Sequence, residues 1–371
     1  MVDGNNRIAD VLPSNALDLP ESVEKYEGII CPGFVNAHCH LELSHMKGVL
    51  PEGTGLDGFI GGIVAQREAE WDALQQAQIA ADNAMWEAGI QAVGDICNND
   101  STIETKRKSR LRYHSFIELL GINPSSAELT MQRGIDLAES YREKNLAASV
   151  VPHASYSVSA KLLNLISEYA SRNGTPISIH NQETKSEDEM FVQGTGSLLE
   201  KLRSLGIPMQ FFEPTKQTAL RSILPLLPQS KPILFVHNTF TTVDEMAWAN
   251  ANNNALLWCT CPSANLYIEG LVPDVAKWLK CGSTICIGTD SLASNHQLSI
   301  LEELRLLAQH CPTISFDNLL QIATLNGARA LGLEKETGTL EKSKMPGVVL
   351  IQNVDLENPR ISSTTTVNRL V

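Results

Sequence analysis

Six polar residues stand where apolar runs of this 371-residue chain stop: His38 and His40 after GIICPGFVNA, His153 in AASVVPHAS, His180 after TPISI, His237 after KPILFV and Asp290 after STICIGT. A lone histidine on an apolar run is ordinarily a core residue satisfied by a hydrogen bond. Repetition changes that reading, because five of the nine histidines fall at the same end of successive runs. His38 and His40 are alternate residues, so on a strand both rings leave one face. With His180 and Asp290 they make three imidazoles and one carboxylate, a set with room for water that suits one catalytic divalent ion. Zinc comes first, with Fe2+ or Mn2+ as alternatives. The chemistry such an ion brings is a water whose pKa falls toward neutrality. Glu183, three residues after His180 in HNQET, can stand beside the ion as a proton donor. His237 is then left to hold or deprotonate the water, a role suited to a group that titrates near neutral pH.

The elements that must position these residues are eight Val- and Ile-rich runs, at 28–38, 90–97, 113–121, 147–155, 175–180, 231–237, 255–261 and 283–290. Segments such as 72–89 and 128–145 lie between them, with apolar residues at i, i+3, i+4 and i+7, the mark of an amphipathic helix. Eight near-continuously apolar strands alternating with helices predict a (β/α)8 TIM-like barrel, whose working residues sit at the C-terminal ends of the strands. A doubly wound sheet is the alternative, but no strand is followed by G-x-G-x-x-G, and the GTG at 194–196 sits in a helical region. The barrel is drawn over 28–335. Residues 1–27 and 336–371 fall outside the alternation and are expected to pair as a small, abbreviated β-rich cap, with strand candidates at Val348–Gln352 and in the Ser/Thr-rich stretch after it.

Composition narrows the partners. A formal charge of −13, from 29 Lys and Arg against 42 Asp and Glu, with no basic block, argues against nucleic acid or an anionic membrane. No window approaches the ~18 uninterrupted apolar residues of a membrane span, and residues 1–20 lack a signal-peptide pattern. A cytoplasmic protein is expected, with homo-oligomerisation open. The eight cysteines lie mostly in apolar runs and read as reduced core thiols. Cys259 and Cys261 are spaced C-x-C instead of C-x2-C and are read as facing opposite sides of their strand, which disfavours a structural zinc site.

The stretches PGFVNAHCHLELSH (32–45), PHASYSVS (152–159), HNQET (180–184), VHNT (236–239), CPSANLYI (261–268) and GTDSLASN (288–295) resemble, in order, the nucleoside and heterocycle deaminase branch of the amidohydrolase superfamily. HLELSH together with GTDSLASN is most similar to aminodeoxyfutalosine deaminases, which act in an alternative menaquinone pathway. The resemblance implies metal binding by His38, His40, His180 and Asp290. It implies activation of water by Asp290 and His237, and proton transfer to the heterocycle and then to leaving ammonia by Glu183. His153 would face a polar part of the substrate, and Ser291 and Asn295 would shape their loop. Binuclear members carry a carboxylated lysine at the end of strand four, where this chain has VVPHAS, so one metal is expected. Activity on adenosine, methylthioadenosine or S-adenosylhomocysteine, guanine deamination, triazine hydrolysis and a non-catalytic barrel that only binds are the alternatives. If the substrate carries a carboxylate, Arg67 and Lys185 are the candidate cations, since both follow strands on the working side.

Overall fold

The computed structural model describes residues 1–13 and 23–371. The described residues form eleven strands: β1 (Ile29–Pro32), β2 (Phe34–Cys39), β3 (Ile90–Cys97), β4 (Arg112–Leu119), β5 (Ala147–Pro152), β6 (Ile177–Asn181), β7 (Ile233–His237), β8 (Leu256–Thr260), β9 (Ile285–Ile287), β10 (Val348–Gln352) and β11 (Thr366–Arg369). Strands β2 to β9 are parallel and form two four-stranded arcs, β2-β3-β4-β5 and β6-β7-β8-β9. The arcs are joined by parallel bridges Ala154↔His180 on one side and Cys39↔Asp290 on the other. Both seams therefore run through candidate site residues: His180 N–H donates to the His153 carbonyl (2.9 Å), and Thr289 and Asp290 N–H both donate to the His38 carbonyl (3.1 Å each). This is the expected TIM-like barrel.

The run at 28–38 is not one strand. It divides at Gly33, and its first part, β1, pairs antiparallel with β10, which pairs antiparallel with β11. This small sheet is built from the chain ends. Among the described residues ahead of it, Ile8 N–H donates to the Lys344 carbonyl (2.9 Å) and the Ile8 carbonyl accepts the Ser343 N–H (2.8 Å). The GTG glycines also fall between helices: Gly194 caps helix Lys185–Gln193 in a left-handed conformation, and Gly196 precedes helix Ser197–Ser204.

Alternation sorts the strands into an interior and a helix-facing layer. Leu234 and Val236 of β7, and Leu257 and Cys259 of β8, pack inside, while Ile233, Phe235, Leu256 and Trp258 face the helices. The same rule corrects the reading of Cys259 and Cys261. Residues two apart share a face, and both thiols join Cys286 in the interior. All eight cysteines are free thiols.

In β2 the alternation is interrupted. Val35 and Ala37 pack inside, and Asn36 reaches toward Met85 on helix Trp71–Glu87, so an unbroken strand would turn His38 and His40 outward as well. Instead Asn36 aligns with Val93 and Cys39 with Asp95, three steps on β2 against two on β3. That β-bulge reverses the phase: Cys39 joins the helix-facing core, and His38 and His40 turn inward. Two glycines make space for it. A Cβ on Gly94 would lie 2.5 Å from the Ala37 carbonyl oxygen, and one on Gly288 would lie 2.7–2.9 Å from the His38 backbone and Cβ. Gly94→Ala and Gly288→Ala should each destabilise the protein by about 1–3 kcal/mol, as overpacking does, measured as a lower urea midpoint. Gly288→Ala should in addition weaken metal binding, because the clash falls on His38 itself.

Candidate active site

The C-terminal ends of the barrel strands open into a cavity of roughly 300 Å³ lined by His40, His153, His180, Glu183, His237 and Asp290 on its floor. Leu56, Phe59, Ile60, Ile63, Leu202 and Ile207 form its apolar walls. Nitrogens of His38, His40 and His180 lie within 4.8 Å of one another, and so do ligand atoms of His38, His237 and Asp290. His38 belongs to both groups and is fully buried. Its Nε2 is 3.2 Å from His40 Nε2, and Asp290 Oδ1 is 3.5 Å from the former and 3.3 Å from the latter.

Backbone shape aims two of these side chains. His237 and Asp290 adopt left-handed conformations, φ +69° and +57°, which non-glycine residues rarely occupy and which cost of order 1–3 kcal/mol each. At His237 the turn breaks the alternation that would otherwise place the ring beside Phe235 on the helix side. Asp290 is anchored by neighbours that sequence reasoning had not singled out. Ser294 donates to its Oδ2. Just ahead of it, Thr289 exchanges two hydrogen bonds with Asn36, Asn36 Nδ2 to Thr289 Oγ1 (2.7 Å) and Thr289 N–H to Asn36 Oδ1 (3.0 Å).

Outer partners also set the tautomers. His180 Nδ1 donates to the His153 carbonyl (2.8 Å) and His237 Nδ1 donates to Asn265 Oδ1 (2.8 Å). Each ring is left with a lone pair on Nε2. Asn265 was hidden in CPSANLYI, a stretch that supplied resemblance but no role. A third grouping, Glu118, His153 and His180, makes no separate centre, because His180 Nδ1 is committed to the His153 carbonyl and His153 Nδ1 is bonded to Ser157 Oγ (2.8 Å).

Burial dominates the electrostatics. Desolvation lowers His38 and His180, brings His40 down to about 3 and brings His153 down to about 4, so the imidazoles are neutral with lone pairs available. Burial also opposes charge on Asp290, yet the close approach of His38 and His40 outweighs it and holds the carboxyl below its ordinary range. Glu183 lacks such compensation. Burial raises it to about 7, opposed by His237, whose Nε2 stands 3.7 Å from Glu183 Oε1. Lone pairs and an ionised carboxylate crowded this closely fit a divalent cation among them. The donor chemistry is imidazole and carboxylate.

The remaining predicted residues separate. His153 and Ser291 line the cavity, as does Arg67, whose Nη2 is 3.5 Å from Glu42 Oε1. Asn295 is buried and donates to the Thr289 carbonyl and Glu303 Oε1, both at 2.8 Å, which shapes its loop. Lys185 is exposed, stacks 5.6 Å from the Phe240 ring centre and does not line the cavity.

Residues 29–368 match the amidohydrolase family model. The chain belongs to the amidohydrolase family. It is a hydrolase acting on carbon–nitrogen bonds, in a family whose members typically depend on a divalent metal. An adenosine deaminase from Helicobacter pylori is 26% identical over 320 residues, covering 85% of this chain and 77% of that one. A 5-methylthioadenosine/S-adenosylhomocysteine deaminase from Moorella thermoacetica is 28% identical over 347 residues, 90% of this chain and 74% of that one. Among solved structures, Helicobacter pylori aminofutalosine deaminase in complex with methylthio-coformycin superposes with a TM-score of 0.76 at 24% identity, covering 88% of this chain and 79% of that one. This amidohydrolase shares that fold. No helix among the described residues is long and apolar enough to cross a membrane.

Elemental analysis of the purified amidohydrolase should find one divalent ion per chain. His180→Ala should bring the content near zero while the protein still melts cooperatively. Full occupancy in that variant would remove His180 from the ligand set.

Proposed function

We propose that the chain is a metal-dependent hydrolytic deaminase of a 6-aminopurine nucleoside, with His38, His40, His180 and Asp290 holding one divalent ion, zinc by preference for this donor set. The observation that carries the reading is the pairing of Glu183 and His237 at the edge of the ligand cluster, beneath a cavity with apolar walls. Deaminase relatives of purine nucleosides, aligned over most of their length, support it. A divalent ion in this site lowers the pKa of a water toward neutrality and so makes a nucleophile available at physiological pH.

The chain's own groups account for the proton movements. His237, its Nδ1 held by Asn265, presents a basic Nε2 that takes the water proton. Glu183, raised to about 7 by burial, is protonated often enough at neutral pH to donate to a ring nitrogen, which turns a poor electrophile into one that accepts water at the amino-bearing carbon. The Glu183 carboxylate left behind takes the proton of the added hydroxyl and passes it to the amino group, so that the carbon–nitrogen bond breaks, ammonia leaves and a ring carbonyl remains. The apolar walls exclude solvent and hold the flat purine, and His153, neutral and oriented by Ser157, meets a polar group of the sugar.

Aminodeoxyfutalosine is the proposed substrate, supported by Arg67. Among the described residues it is the one Lys or Arg lining the cavity, and a guanidinium there can take a carboxylate in a bidentate contact. Adenosine, methylthioadenosine or S-adenosylhomocysteine is the second reading, favoured by the apolar wall itself.

Glu183→Gln should retain the metal and lose at least about 100-fold in turnover. Loss of metal in that variant would make Glu183 a ligand. The acid must carry its proton, so in the wild type kcat/KM should decline as pH rises through about 7, and that limb should vanish in Glu183→Gln. On substrate, kcat/KM for aminodeoxyfutalosine should exceed that for adenosine by at least ~10-fold, the equivalent of ~1.4 kcal/mol. Arg67→Ala should erase the difference. Equal efficiency in the wild type moves the assignment to a general adenosine-type deaminase, and no ammonia from any 6-aminopurine nucleoside points to guanine or triazine substrates.

A further inference from the structure

Below the pocket, on the helix side of β3, lies a charge pair that the chemistry does not use. Asp95 and Lys106 are both wholly buried, with Lys106 Nζ 2.6 Å from Asp95 Oδ2. Lys106 belongs to helix Ile103–Lys108, directly after β3. Its ammonium also donates to Cys97 Sγ and Ser115 Oγ, each at 2.9 Å, and lies 5.3 and 5.1 Å from the ring centres of Tyr113 and Tyr141. All three ammonium protons thus have acceptors, and two aromatic faces complete the enclosure.

The other carboxylate oxygen has a different target. Asp95 Oδ1 accepts the backbone N–H of Leu41 at 2.7 Å, the residue immediately after His40. Leu41 opens a 3₁₀ helix, Leu41–Met46, with His40 at its N-cap position and no capping bond from the His40 side chain. That ring is engaged elsewhere, its Nε2 facing His38. Asp95 therefore supplies from the neighbouring strand the acceptor that a Ser or Asp at the cap would ordinarily provide.

We propose that Asp95 and Lys106 form a buried strut whose role is to fix His40, making both of them positioning residues for the metal centre. The inference rests on the reading of His40 as a ligand. Lys106 neutralises Asp95 and holds its carboxylate in one orientation, Asp95 holds the Leu41 amide, and the chain leaves β2 at the angle that brings the His40 ring to His38 and Asp290. Stability alone does not call for such a pair, since well-packed apolar residues commonly replace a buried ion pair at no loss. An apolar pair cannot supply the oxygen that Leu41 requires.

Two double variants of the full chain separate positioning from charge and from packing. In Asp95→Leu with Lys106→Met the charges and the acceptor are gone. In Asp95→Asn with Lys106→Met the charges are gone, but an amide oxygen remains for Leu41. Metal affinity is read with zinc against a chromophoric chelator, and folding by cooperative thermal melting. The Leu version is expected to lose ~10- to 100-fold in zinc affinity, the usual cost of removing a group that orients a ligand, and the Asn version to recover most of it. Turnover of the 6-aminopurine nucleoside should fall in kcat with KM little changed, because the cavity walls are untouched. Equal zinc affinity in the two variants, or equal loss in both, overturns the proposal. Should neither variant fold, hydrogen exchange in the wild type decides: the Leu41 amide should be as slow as the β3 amides, and exchange at the rate of an exposed loop overturns the strut. Zinc affinity and exchange do not depend on substrate, so they survive a failure of the deaminase assignment. Full zinc binding by His40→Ala would instead sink the ligand reading.

Discussion

Between Asn36 and Cys39, strand β2 has one residue more than β3 opposite it, and the geometry of the site depends on that extra residue. Val35 and Ala37 fill the barrel interior before it; His38 and His40 turn into the pocket after it. The bulge is tolerated because its two flanks, Gly94 and Gly288, carry no side chain to oppose it. The His38 carbonyl, displaced by the same bulge, accepts the amides of Thr289 and Asp290 and closes the barrel. A single backbone irregularity thus presents two imidazoles, docks a carboxylate beside them and joins the first strand to the last.

Desolvation then determines what these groups can do. In water three imidazoles as close as His38, His40 and His180 would partly protonate and repel. Buried, those three are driven neutral, and the outer nitrogens of His180 and His237 are committed to a carbonyl and an amide oxygen, which leaves a lone pair on the Nε2 of each. Two of the three carboxylates that line the pocket, Asp290 and Glu183, diverge. Asp290 lies 3.5 and 3.3 Å from the His38 and His40 nitrogens and is held below its ordinary range, whereas Glu183 is raised by burial, with His237 at 3.7 Å opposing it, and sits near neutrality. Two chemically similar acids are pushed to opposite sides of the ordinary carboxylate range by their surroundings.

The wall opposite the cluster follows another logic. Helix Gly55–Gln66 and the segment 202–207 contribute aliphatic and aromatic side chains that suit a flat heterocycle, and Arg67, just past that helix, adds one charge at the rim. The cavity walls therefore belong to the connections between strands and helices, as is usual for this architecture. The chemistry belongs to the strand ends.

By itself the sequence was enough to establish the eight-strand alternation, the family, and the identity of the polar residues that end the strands, because these depend on local periodicity and on residue type. It also showed that the chain ends lie outside the alternation, though not that Ile29–Pro32 leaves the first run to join them. What it could not reveal depends on chain segments far apart in sequence. The phase reversal at His38 requires Gly94 and Gly288 on either side. The tautomer of His237 requires Asn265, and the course of the chain beyond His40 requires Asp95 and Lys106. Lys185 and Arg67 looked equivalent as cations after strands, and only the packing of the connecting helices sent one to the surface and the other to the cavity. Cys259 and Cys261 show that even a local rule has to be applied in the right phase, since two-residue spacing places both in the interior. Side-chain direction at a strand end is decided by the strand beside it, and that neighbour is known only once the barrel has closed.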